Sequence, residues 1–260
     1  MFTRNALIAL LLAVIAGFST MLGTVLLFFT KGKNERLVSA SLAFAAGVML
    51  SVSFLDLYPQ SATFLKDFAG DIWGLVLSVL FLSVGVIFAG LLDKLVPHED
   101  TEHDTGDREH KDLYRVGFVS MLAIGLHNFP EGIATFMAGY TDVSLGIQVT
   151  VAIAMHNIPE GISVAMPIYF ATGSKRKAAK YTFLSGMAEP LGAFIAFLLL
   201  RPIINDLVMG IIFAMVTGIM LYIAIEELLP SSRQYGHKRL ALISTFAGIV
   251  IMPLANLFGM

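Results

Sequence analysis

The sequence HNFPEG at residues 127–132 recurs 29 residues later as HNIPEG at residues 156–161. Each copy lies within an apolar stretch that is long enough to cross a membrane. His, Asn and Glu side chains are costly in hydrocarbon unless they face one another, water or an ion. The two hexapeptides are therefore the first candidates for a functional site.

The composition predicts an all-α, polytopic membrane protein. Of the 260 residues 57% are hydrophobic and only 14% are charged, and the mean hydropathy is +0.79. A soluble domain carries about 25% charged residues. The net charge of -2 and the lack of a long basic run give no sign of nucleic-acid binding. Because the chain contains no cysteine, disulfides and thiolate metal sites are excluded.

Eight apolar runs of roughly 20 residues predict a single domain, residues 1–260, built as a bundle of eight transmembrane helices. The predicted spans are residues 5–30, 36–58, 71–95, 113–137, 144–169, 178–200, 206–229 and 239–259. A signal peptide is the alternative for the first run. That run is longer than the apolar region of roughly 7–15 residues that signal peptides contain.

The distribution of positive charge predicts the orientation of these spans. Fourteen of the 17 Lys and Arg residues lie in the loops after spans one, three, five and seven, and the others are Arg4, Lys66 and Arg201. Cytoplasmic loops carry the positive excess. We therefore expect both termini to lie outside the cytoplasm.

The longest loop, residues 94–112, is polar and acidic and contains His98, His103 and His110. Its composition predicts a flexible cytoplasmic linker between spans three and four. Mixtures of His and carboxylate groups also bind divalent ions, so a weak metal-capturing role is the alternative.

The spacing within each hexapeptide suits metal binding. On a helix, His127 and Glu131 share a face at i and i+4, and Asn128 and Glu131 are neighbours at i and i+3. The second hexapeptide offers the same three side chains, His156, Asn157 and Glu160. If spans four and five face each other, the ligands combine into two adjacent sites that share both glutamates.

Proline and glycine in the hexapeptides support this interpretation. Pro130 and Pro159 have no N–H, so each frees a backbone carbonyl and bends its helix. Broken helices that carry ligands near the membrane midplane are typical of transporters. Gly132 and Gly161 allow the helices to approach closely.

A third buried acid, Glu189, lies near the middle of span six in SGMAEP. Carboxylates at one depth repel one another, and a divalent cation removes that repulsion. A lone buried His is more often a hydrogen-bonded core residue, and a lone proline is usually just a kink. Two copies of the whole pattern together with Glu189 favour a metal site.

Further acids lie near the ends of spans, where solvated acids are also common. Asp56 is expected at the outer end of span two, Asp93 at the inner end of span three, and Glu226 and Glu227 at the inner end of span seven. They predict a path of carboxylates with entry at Asp56 and exit at the other three.

Imidazole and carboxylate ligands without sulfur suit Zn²⁺, Fe²⁺, Mn²⁺, Co²⁺ or Cd²⁺ and disfavour Cu⁺. Mg²⁺ and Ca²⁺ prefer sites made only of oxygen. A transporter of such ions is the leading hypothesis. The sequence has no nucleotide-binding loop, so it does not indicate transport driven by ATP hydrolysis. The alternatives are an intramembrane metal-dependent enzyme, although the spacing matches neither H-E-x-x-H nor E-x-x-H, and a metal sensor.

The four motifs HNFPEG, HNIPEG, SGMAEP and EELLP (226–230) resemble those of the ZIP family of divalent-metal transporters. The resemblance implies an inner-membrane importer of Zn²⁺, with Fe²⁺, Mn²⁺, Co²⁺ and Cd²⁺ as further cargo. The metal would be cargo rather than a catalytic cofactor, the lipid bilayer would surround the protein, and a homodimer is one candidate for the oligomeric state. The resemblance also implies that spans one, four, five and six move as a block against spans two, three, seven and eight.

By motif match, the resemblance implies a binuclear centre at the membrane midplane. The first metal would be held by His127, Glu131, His156 and Glu160. The second would be held by Asn128, Glu131, Asn157, Glu160 and Glu189.

Overall fold

The computed structural model describes residues 3–29, 34–95, 105–200 and 205–258, and within these ranges it contains helices and no strand. The α-helices are α1 (Arg4–Ser19), α2 (Leu26–Phe29), α3 (Glu35–Val52), α4 (Tyr58–Ala69), α5 (Asp71–Leu95), α6 (Thr105–Thr141), α7 (Val143–Thr172), α8 (Lys175–Gly186), α9 (Ala188–Ile195), α10 (Asp206–Tyr222), α11 (Leu229–Arg233) and α12 (Lys238–Phe258). The 3₁₀ segment Thr20–Val25 follows α1, and π-helical segments follow α3, α9 and α10.

Six helical segments are long and apolar enough to cross a membrane, by length and composition. They are Arg4–Val25, Glu35–Ala69, Asp71–Lys94, Val143–Thr172, Lys175–Leu198 and Asp206–Arg233. The all-α, multi-pass architecture is thereby confirmed. Predicted spans four and eight fall within α6 and α12, which are helical but are not among the six. The number of eight spans and the orientation of the termini stay predictions.

The two helices that carry the hexapeptides form an antiparallel pair because a very tight turn joins them. Helix α6 ends at Thr141, and the side chain of Asp142 accepts a hydrogen bond of 2.9 Å from the backbone N–H of Leu145. Such a cap satisfies a free N–H at the start of α7. At its other end, α7 stops at Gly173, whose φ of +66° suits glycine.

The helices pack as two groups. In the first helix group, α1, α6, α7, α8 and α9 pack mainly on one another. In the second helix group, α3 packs on α12, and α10 packs on α4 and α5. Contact between the groups is made chiefly by α3 against α7 and, less extensively, by α10 against α6. The first group corresponds to predicted spans one, four, five and six.

Asp56 lies inside a helix that continues beyond the predicted end of span two at residue 58, and its position at the outer end of the span stays a prediction. Its π-helical segment, Ser53–Leu57, leads directly into α4, so the helix continues to Ala69, well beyond the predicted boundary at residue 58. Pro59 does not stop the helix: it directly follows the π-helical segment, in which the N–H of Tyr58 bonds to the carbonyl of Ser53.

The predicted loop 94–112 is described only in part. Helix α5 continues to Leu95 and α6 begins at Thr105. His98 and His103 lie outside the described residues, and His110 lies in the first turns of α6. The flexibility and the metal-capturing role of this loop stay predictions.

Candidate metal centre

Three side chains from the two hexapeptides meet around one carboxylate oxygen. Glu131 Oε1 lies 3.0 Å from His127 Nε2 and 2.9 Å from His156 Nε2. Ligand atoms of these three residues lie within 4.8 Å of one another. All three side chains are buried. An imidazole pair beside a carboxylate is a donor set that suits a divalent transition metal.

The other two predicted acids belong to the same region. Glu160 Oε1 lies 3.3 Å from His127 Nε2, and the Glu160 side chain is fully buried. Glu189, also fully buried, accepts a hydrogen bond of 2.9 Å from Asn157 Nδ2. Helices α6, α7 and α9 therefore bring their carboxylates to one site, in agreement with the depth estimated from the sequence.

Backbone carbonyls fix the orientation of both asparagine side chains. Asn128 Nδ2 donates to the carbonyl of Ser185 at 3.3 Å, and Asn157 Nδ2 donates to that of Ala16 at 2.9 Å. Because a carbonyl can only accept, the nitrogen of each side-chain amide faces the backbone carbonyl, and the amide oxygen points away from it.

These two acceptors lie where the helices are irregular or end, and they could not be identified from the sequence. The Ala16 carbonyl lacks its α-helical partner because the N–H of Thr20 bonds to Phe18 where the 3₁₀ segment begins, and it also accepts a hydrogen bond of 2.5 Å from the Ser19 hydroxyl. Ser185 lies in the last turn of α8, where carbonyls lack some of their helical partners.

Five buried residues in this region carry ligand-type oxygens that have no hydrogen-bond partner among the described residues. The oxygens are Asn128 Oδ1, Glu131 Oε2, Asn157 Oδ1, Glu160 Oε1 and Oε2, and Glu189 Oε1. Buried polar atoms are normally satisfied, and each exception needs a physical explanation. The residues are the same five that motif similarity assigns to the second metal. Carboxylate and amide oxygens of this kind are ligands for divalent cations, so the residues present fit such an ion.

Glycine allows the close packing that assembles this site, as the sequence predicted. A Cβ atom on Gly132 would overlap the backbone carbonyl oxygen of Glu189, and one on Gly161 would overlap that of Thr20. Residues with side chains at these positions would push α6 away from α9, and α7 away from the segment after α1. The ligands would then move apart.

A cavity of about 150 Å³ leads into the site between the two helix groups. Its lining includes Asp56 from the second group and Glu131 and His156 from the first. Ala134 and Val149 also line it, which places the cavity on the side of the site toward the α6–α7 turn. Asp56 is thus near one entrance to the site.

The remaining predicted acids lie on the opposite side of the site. Asp93 is joined to the guanidinium of Arg115 and accepts a hydrogen bond of 3.2 Å from the Tyr222 hydroxyl. Glu227 Oε1 lies 3.4 Å from Arg115 Nη1 and is buried, whereas Glu226 is exposed. The sequence did not single out Arg115, because a lone Arg at the start of a span usually indicates only the membrane boundary.

The comparisons with known proteins agree with this donor set. A family model described as "ZIP Zinc transporter" matches residues 97–256. The chain is 45% identical to a protein named zinc transporter ZupT from Streptococcus mutans, over 98% of each chain. It is 42% identical to proteins of the same name from Clostridium perfringens (98% of this chain, 96% of the relative) and Oceanobacillus iheyensis (97% and 98%). These relatives are named as transporters and not as enzymes. The chain therefore belongs to the ZIP family of transporters.

Proposed function

We propose that this protein imports Zn²⁺ into the cytoplasm, with Fe²⁺, Mn²⁺, Co²⁺ and Cd²⁺ as further cargo. The observation that carries the proposal is the buried His127–Glu131–His156 cluster in a region where five buried residues have oxygens that lack hydrogen-bond partners. Buried ionisable groups in a membrane protein are most often functional. The names of the relatives support zinc as the main cargo.

The cluster holds two metal ions at adjacent positions. The first position uses both imidazoles and both shared glutamates of the hexapeptides. The second uses only oxygen, from the two asparagines and the three glutamates whose free atoms were described above. Because harder ions prefer oxygen ligands, the second position should accept a wider range of divalent ions than the first.

The protein spans the cytoplasmic membrane eight times, with both termini outside. Helices α6 and α12 supply the two spans beyond the six identified by length and composition. In this orientation the α6–α7 turn faces outward, and the cavity beside Asp56 is the outer entrance. An inside-negative potential favours the entry of a divalent ion by about 4.6 kcal/mol per 100 mV, from about 2.3 kcal/mol for each charge.

Transport proceeds by alternating access, with the first helix group moving as a block against the second. The packing within each group is more extensive than the packing between them, which supports a rigid movement of this kind. All seven predicted ligands belong to the first group, so the metal would travel with it.

Uptake of metal into proteoliposomes tests this function. Purified protein, with an imposed inside-negative potential, should accumulate radiolabelled Zn²⁺ most strongly among a panel of divalent ions. The Glu131→Ala/Glu160→Ala double variant should fall to the rate of empty vesicles. A Glu35→Ala/Asp67→Ala variant, which removes two exposed acids, is the matched control and should retain transport. Unchanged uptake in the first double variant would rule out the cluster as the transport site.

A further inference from the structure

Arg115 joins the two helix groups on the side of the site opposite the cavity. It belongs to α6 of the first group, whereas Asp93 belongs to α5 and Glu227 to the π-helical segment after α10, both in the second group. The guanidinium also donates to the backbone carbonyl of Asp93 at 3.3 Å. Tyr222 completes the cluster through its hydrogen bond to the second oxygen of Asp93.

A narrow crevice lies beside the part of α6 that separates Arg115 from the metal centre. Arg115 precedes His127 by twelve residues, which is about 18 Å along a helix. Between them, Val119 and Ala123 line a crevice with α5 and α10 whose volume is about 10 Å³. A cavity of that size holds about one water molecule at most. The cavity on the opposite side is about 150 Å³, and Glu131 and His156 of the site line it.

We propose that Arg115 is a tethered cation that keeps the inner side of the pathway closed by binding Asp93 and Glu227 across the two helix groups. The inference rests on the proposed function, because it takes the α6–α7 turn as the outer side. When the first group moves, the guanidinium leaves both carboxylates and the crevice at Val119 opens to the cytoplasm. Arg115 is thus a positioning residue that sets the balance between the outward-open and inward-open states.

The arrangement of charges explains why this contact is decisive. Asp93 and Glu227 are both nearly buried, and a buried charge that loses its partner is strongly unfavourable. The guanidinium is planar and carries several donors, so it can bind two carboxylates at once, which an ammonium group does less well. The outward-open state is stabilised by these contacts, and their loss shifts the population toward the inward-open state.

Because the chain contains no cysteine, a single introduced cysteine reports accessibility without background. Val119→Cys places the reporter in the closed crevice, and Gln60→Cys places a second reporter in the outer cavity. A membrane-impermeant thiol reagent is added to inside-out vesicles for the first and to right-side-out vesicles for the second. In the Arg115→Ala background, labelling of Cys at 119 should rise roughly tenfold, within the range that single coupled contacts produce, and labelling at 60 should fall.

Control variants distinguish the proposed role of Arg115 in closing the pathway from an effect of misfolding. Arg176→Ala removes an exposed positive charge from α8 of the same helix group and should leave both reporters unchanged. Arg115→Lys should give an intermediate result. Should Arg115→Ala fail to fold, Asp93→Asn and Glu227→Gln each remove one partner and should raise labelling at 119.

Unchanged labelling at 119 in all folded variants would overturn the proposal. Labelling needs no metal flux, so this result is distinct from a failure of zinc uptake. Conversely, increased labelling with no zinc uptake in the unmodified protein would support the closure by Arg115 and contradict the transport function.

Discussion

Asn157 on α7 donates a hydrogen bond of 2.9 Å to Glu189 on α9, and it also donates to the carbonyl of Ala16 on α1. One amide thus connects three helices of the first group. Asn157→Ala should lower the free energy of unfolding by ~1–3 kcal/mol, because it leaves buried acceptors without their donor. Thermal unfolding in detergent measures this effect. Asn5→Ala, at an exposed position of α1, is the control and should not change it. Equal stability of Asn157→Ala and the unmodified protein would show that the amide does not hold these helices together.

The two proposed metal positions can be separated by counting bound zinc. Glu189→Gln removes a carboxylate from the all-oxygen position and should reduce bound zinc from two ions to one. His127→Ala/His156→Ala should remove the other ion, because both imidazoles contact the same oxygen of Glu131. Elemental analysis of purified protein after equilibration with zinc gives the count.

A count of one zinc ion in the unmodified protein would contradict the binuclear assignment. A count of zero after either change would show that the positions are not independent. The shared glutamates make some coupling between them expected, so affinities should be compared as well as counts.

Asp56 should affect the capture of metal more than the maximal rate. It lines the cavity of about 150 Å³ together with Glu131 and His156, where a negative charge raises the local concentration of cations. Asp56→Asn should raise the KM for zinc by roughly tenfold at low ionic strength, with little change in the maximal rate. Zinc uptake measured over a range of concentrations tests this. Asp67→Asn, at an exposed position of α4, should leave the KM unchanged.

The residues of the metal centre could be predicted because their signal is local. Polar groups at helical spacing inside apolar segments identify the two hexapeptides, and Glu189 follows from its depth in span six. The structure brings these side chains together, as the sequence suggested. Metal binding itself stays a prediction.

The roles of the Ala16 carbonyl and of Arg115 depend on which helices pack together, and the packing of helices could not be predicted from the sequence. The Ala16 carbonyl loses its α-helical partner where α1 changes to a 3₁₀ segment at Thr20, and it accepts from Asn157 and from the Ser19 hydroxyl instead. Arg115 acquires its role only because α5 and α10 place Asp93 and Glu227 beside it. The continuation of the helix past Pro59 was missed because a proline near polar residues normally indicates the end of a span.

Gly132 should tolerate no side chain, because a Cβ atom there would overlap the backbone carbonyl oxygen of Glu189. Gly132→Ala would force α6 and α9 apart and move Glu131 relative to Glu189. Because metal ligands must be held in place closely, we expect zinc uptake to fall at least about tenfold. Gly125→Ala is a matched control on the same helix, since its Cβ atom would meet only Ser185 Cα at 3.9 Å, an ordinary contact. Uptake in proteoliposomes, normalised to the amount of folded protein, should therefore separate the two variants. Similar activity of Gly132→Ala and Gly125→Ala would mean that the close approach of α6 and α9 is not required for transport.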